Sequence, residues 1–65
     1  SERGMKYIGQ QVDVWRHELT DIDFRGEFLG FGSHYDGNVN YSVALIKQSD
    51  GFVVEVMPWL VQFKD

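Results

Sequence analysis

Two apolar runs flank a Ser-Asp-Gly triplet: Tyr41–Gln48, "YSVALIKQ", and Phe52–Met57, "FVVEVM". An Asp-Gly pair enters the positive-φ conformations of a type I′ or bulged turn at little cost. Both runs alternate with the period of two that places successive side chains on opposite faces of a strand. Tyr41, Val43 and Leu45 fall on one face of the first run, and Ser42, Ala44 and Ile46 on the other. In the second run, Phe52, Val54 and Val56 oppose Val53, Glu55 and Met57. The pair predicts an antiparallel hairpin turning at Ser49–Gly51. A lone hairpin is at best marginally stable in water, so the rest of the chain must add strands to it.

The remaining segments meet that requirement. "IGQQVDVW", Ile8 to Trp15, predicts a strand with Val12 and Val14 on one face and Asp13 and Trp15 on the other. The polar "RHELTDID" then reads as a loop. Phe24–Phe31 predicts a second strand, Phe24 and Phe28 facing one way, Leu29 and Phe31 the other. Gly26 and Gly30 inside it mark a bend or bulge. "GSHYDGNVN", Gly32 to Asn40, is the next connection, with turn residues at Asp36–Asn38. Pro58 has no N–H to give a ladder, so it ends the fourth strand. "PWL" is one short helical turn, and "VQFKD" a last strand. A helix over "YIGQQVDVWRHEL" has compatible apolar spacing, but its Gly and β-branched residues disfavour it. These elements predict an all-β fold: a small five-stranded SH3-like barrel with a short helical turn before the last strand. Residues 5–65 form the single domain, and residues 1–4 read as a tag remnant or a flexible extension before Met5.

A domain of 65 residues buries only about 60% of its unfolded-chain surface and commonly needs a staple or a partner. Cysteine is absent, which removes disulfides and thiolate metal sites and fits a reducing, cytoplasmic setting. A homo-oligomer is then the natural source of further burial. No apolar run approaches the roughly 20 residues of a membrane span, and no membrane association is expected. The net charge of −4 disfavours nucleic acid, whose binding rests on phosphate neutralisation by Lys and Arg.

Three stretches resemble known families. "VDV" followed by "RGEFLGF" (Arg25–Phe31) resembles the first motif of Sm-like proteins, which implies an RNA contact through Asn40. Gly32 stands where that family has Asp, and the family's second motif is replaced by "VMPWLVQF". "MPWLVQF", Met57 to Phe63, is similar to the end of a eukaryotic-type SH3 domain. That resemblance implies a groove formed by Pro58 and Trp59, with Glu18, Asp21 and Asp23 as an acidic first loop. "FRGEFLGF" also resembles the second strand of the small plasmid-borne dihydrofolate reductase, which implies a pocket shared between subunits.

Among candidate site residues, His17 and Glu18 lie beside Asp21 and Asp23, the residue types of a metal or acid–base cluster. Nothing in a loop spacing makes them converge, so they are read as a solvated acidic loop, with no metal and no cofactor. His34 with Asp36 reads as a turn. The serines lack a nucleophile-elbow context and "GEFLGFG" lacks the access a phosphate loop needs, so catalysis is unsupported. The chain carries two Trp, three Tyr and five Phe. Core packing accounts for Phe28, Phe31, Phe52 and Phe63; it accounts less well for Trp15, Tyr35 and Trp59. Aromatic residues with polar handles are enriched at interfaces, and Trp59 is either a packed plug or such an anchor.

Three functions follow as expectations. The first is a non-enzymatic binding module that self-associates and engages a protein partner or small ligand through Trp15, Tyr35, Trp59 and the acidic loop. The second is ligand capture or minimal catalysis at an oligomer interface, with His34, Asn38, Asn40 and Arg25 as polar contacts. The third is Sm-like RNA binding. Size and acidity suit a phage or mobile-element accessory protein.

Overall fold

A computed structural model describes residues 5–16 and 21–64. The expected extension at residues 1–4, and His17 and Glu18, lie outside the described residues. The elements are β1 (Gln11–Trp15), β2 (Ile22–Tyr35), β3 (Asn40–Lys47), β4 (Val53–Val56), a 3-10 turn (Pro58–Leu60) and β5 (Val61–Gln62). All pairings are antiparallel, in the order β4-β3-β2-β1-β5.

The expected SH3-like barrel is not formed. The sheet is open: β4 pairs only with β3, β5 only with β1, and no ladder joins the two edges among the described residues. The physical reason lies in the C-terminal third. β4 has four residues and ends one residue before Pro58, while β5 contributes two residues on the far side of β1. Neither is long enough, or placed, to close the ring. The Sm-like, SH3 and dihydrofolate reductase resemblances presuppose that barrel and fall with it.

β2 is the long central element, 14 residues against the eight expected from Phe24–Phe31. Its first half pairs with β1 and its second with β3, and Glu27 is the residue common to both ladders. Gly26 sits at this changeover. A Cβ there would stand 2.5 Å from Ile46 Cγ2 and 2.7 Å from the Lys47 carbonyl oxygen, so only glycine fits without movement of β3.

Two bulges reset the faces. Between Phe28↔Ile46 and Gly30↔Leu45, Leu29 is an extra residue on β2, and Gly30 adopts a φ of +131°. The extra residue inverts the alternation beyond it. Phe31 therefore shares the face of Phe28, not that of Leu29, and meets it edge-on with ring centroids 5.1 Å apart. A second irregularity lies between Val14 and Trp15, opposite Phe24 and Ile22.

The core comprises Tyr7, Val12, Val14, Phe28, Ala44 and Ile46, flanked by Phe24, Val54, Val56, Leu60, Val61 and Phe63. The expected start of β1 at Ile8 is replaced by a turn. Gly9 N–H donates to Phe28 O at 2.8 Å and Phe28 N–H to Gln10 O at 2.9 Å. That turn drops Tyr7 onto Phe63, ring centroids 4.6 Å apart, and Phe63 packs edge-on against Phe28 at 5.0 Å. Both ends of the described chain thus cover the open sheet. Two expected core residues are not buried: Phe31 is 46% and Phe52 70% exposed. Phe31 lies at the rim of the aromatic cluster, and Phe52 belongs to the turn before β4. That turn forms as the Asp-Gly pair predicts, with Gly51 at φ +92° and Phe52 N–H donating to the Asp50 carboxylate at 3.0 Å.

Candidate functional site

The 3-10 turn lies against β3, and between them opens a groove of about 460 Å³ lined by Asp36, Tyr41, Ser42, Met57, Pro58 and Trp59. Each wall has a local cause. Pro58 opens the turn, with its fixed φ suited to a first helical position. Trp59 follows it with 69% of its surface exposed, so it is an exposed aromatic and not a core plug. Asp36 begins the β2–β3 turn, and its carboxylate accepts the N–H of Asn38 at 2.9 Å and of Val39 at 3.0 Å. Those backbone bonds, from Val39 and then Asn38, hold the Asp36 carboxyl below its ordinary value of 3.8. The rim of the groove is therefore anionic at neutral pH.

The expected nine-residue connection Gly32–Asn40 shrinks to a turn at residues 36–39, because β2 continues to Tyr35 and β3 starts at Asn40. Tyr35 is a strand-end residue, 62% exposed, whose hydroxyl donates to Gly37 O at 2.9 Å. Asn40 opposes it across the ladder, and Asn38 sits exposed in the turn. His34 Nδ1 lies 2.9 Å from Glu55 Oε1, and its ring is 5.4 Å from that of Tyr41. Glu55 and Tyr41 come from β4 and β3, so this contact spans three strands.

Other predicted residues lie away from this groove. Arg25 Nε donates to Asp13 Oδ1 at 2.6 Å, and Lys64 Nζ stands 3.4 Å from the same oxygen. Burial opposes ionisation of Asp13, but the bonds from Arg25 and Lys64 outweigh it and hold the carboxyl below 3.8. Asp21 and Asp23 both face Arg16, at 3.3 and 3.5 Å, so this part of the acidic loop forms surface ion pairs. Among the described residues no group of three or more His, Cys, Asp or Glu side chains converges to hold a metal. Trp15 is half-buried on β1, and does not line the groove. Sequence reasoning missed Tyr41, Ser42 and Met57, which looked like ordinary strand residues. Their signal was Pro58, which breaks the pairing beside them.

The molecule is thus a small all-β domain with exposed aromatic residues and surface ion pairs. No helix among the described residues is long and apolar enough to cross a membrane. Comparison with family models, with curated proteins and with solved structures finds no match.

Proposed function

We propose that the domain is a non-enzymatic protein-binding module that takes part of a partner protein into the groove between β3 and the 3-10 turn. The observation that carries this reading is Trp59, a large aromatic held 69% exposed at the wall of an apolar groove. Burying Trp is among the largest single contributions an interface can draw on. The groove volume of about 460 Å³ lies within the roughly 300–1,000 Å³ of ligand-binding clefts. Met57 adds a flexible, polarisable surface that adapts to a bound side chain, and Asp36 adds a negative rim.

The test is selection of peptides from a random 12-residue display library on the immobilised chain. Selected peptides are expected to bind with an affinity that falls at least tenfold in Trp59→Ala, while the circular dichroism spectrum of that variant is unchanged. A library that yields no specific binder, or binders indifferent to Trp59→Ala, overturns the reading.

A further inference from the structure

One wall of the groove is a strand edge with nothing paired to it. β4 reaches only as far as Val56, opposite Ala44. β3 continues to Asn40, paired with β2 on its other side through Val43, Ser42, Tyr41 and Asn40. The continuing register would place residue 58 opposite Ser42. That residue is proline, which cannot donate, and the backbone turns there into the 3-10 conformation. The edge beside Asn40–Val43 is therefore left without a paired strand among the described residues.

The orientation of its hydrogen-bonding groups follows from the ladder. In an antiparallel pair each residue directs its N–H and C=O to one side, alternating along the strand. Gln48 N–H donates to Phe52 O at 2.8 Å, and Ile46 and Ala44 follow at intervals of two opposite Val54 and Val56. Even-numbered residues of β3 thus address the β4 side. At the other end, Asp36 N–H donates to Val39 O at 3.3 Å, so odd-numbered residues such as Tyr41 and Val43 address β2. Ser42 is the next even position beyond Ala44. Its N–H and C=O, like those of Asn40 two residues on, point to the unpaired edge, and Ser42 lines the groove that Trp59 and Met57 wall.

We infer that the partner binds by strand addition: an extended segment pairs with the Ser42 backbone along Asn40–Val43. An apolar side chain of that segment lies on Trp59 and Met57, and a Lys or Arg meets Asp36. This inference rests on the binding-module reading and specifies its geometry. The chemistry selects the occupant. The edge presents the backbone donors and acceptors of Asn40 and Ser42 unpaired by any strand, a row that an added extended backbone matches in register, and the ionised Asp36 at one end favours a basic residue there.

The experiment uses the tightest library peptide and a series in which each of its residues in turn is N-methylated, which removes one backbone donor. Strand addition predicts a period of two: methylation at alternate positions lowers affinity at least tenfold, and at the intervening positions little. In the 15N-labelled chain, exchange of the Ser42 amide should slow at least tenfold on peptide binding, while Tyr41 and Val43, already paired to β2, change less. A Trp59-dependent peptide that is indifferent to N-methylation overturns strand addition and leaves the module reading standing. Ser42 protection that rises with protein concentration in the absence of peptide also overturns it, because the edge then belongs to a second copy. If the library yields no binder, both readings fail.

Discussion

Gly26→Ala is the most demanding test of the sheet geometry. The added methyl group would stand 2.5 Å from Ile46 Cγ2 and 2.7 Å from the Lys47 carbonyl oxygen. Ile46 is fully buried, so its side chain has no free volume to retreat into, and the carbonyl moves only if β3 moves. Overpacking of this kind costs about 1–3 kcal/mol, and a backbone contact puts the expected value near the upper end, about 2–3 kcal/mol. For a chain of this length the whole stability is about 3–10 kcal/mol, so the loss is a large share of it. The midpoint of thermal unfolding should fall by roughly 4–8 °C for each kcal/mol. Gly32→Ala is the internal control on the same strand. A Cβ there meets Leu45 Cδ1 at 3.6 Å and Val43 Cγ2 at 3.9 Å, ordinary contacts, and Gly→Ala at a tolerated site stabilises by about 0.4–1 kcal/mol through the unfolded chain. Urea unfolding followed by tryptophan fluorescence and circular dichroism measures both. Equal stability of Gly26→Ala and the parent chain, with an unchanged denaturant slope, would refute the close approach of β2 and β3 at this corner.

Other expectations follow from the same contacts. Phe63→Ala removes the half-buried ring that joins Tyr7 to Phe28 and should cost about 2–3 kcal/mol, less than a fully buried ring, which a thermal melt reads as a lowered midpoint. Stability should fall on acidification: Asp13 and Asp36 have folded-state values below 3.8. Their contribution is present above that unfolded value and is lost as pH drops through the lower folded one. Urea midpoints between pH 6 and 2 should show this fall, and it should be shallower in Asp13→Asn; an equally steep fall in that variant would deny Asp13 the role. Coupling between His34 and Glu55, both about half exposed, should be about 0.2–1 kcal/mol in a double-mutant cycle, and a larger value would mean the pair is shielded from water.

Face assignment by alternation held for β3 and β4 and failed in β2. In β3 and β4 no residue is inserted, so Ala44, Ile46, Val54 and Val56 reach the core from their spacing alone. In β2 one extra residue at Leu29 reverses the pattern, and nothing in "GEFLGF" tells which residue of a glycine-rich strand will be left unpaired; the partner strand decides it. Tyr35 ends β2 instead of lying in a loop for a related reason. "GSHY" has turn-like composition, but it faces "NYSV" across the hairpin, and ladder hydrogen bonds outweigh the weak strand preference of Gly and Ser. The groove shows the same division. Trp59 and Pro58 were visible as unusual residues, whereas Tyr41, Ser42 and Met57 joined them only through the β3–β4 register.

Local chemistry was sufficient for the all-β class, the Asp-Gly hairpin and the break at Pro58, because each depends on the φ preference or missing donor of one or two residues. Whether the five strands close into a ring depends on contacts between segments far apart in the chain: how far β4 follows β3, and where β5 finds β1. Those lengths are set by packing around Phe28 and Phe63 and by the place in the register where Pro58 falls. The same long-range register left the edge beside Ser42 open next to Trp59, and it is legible only once the strands are laid side by side.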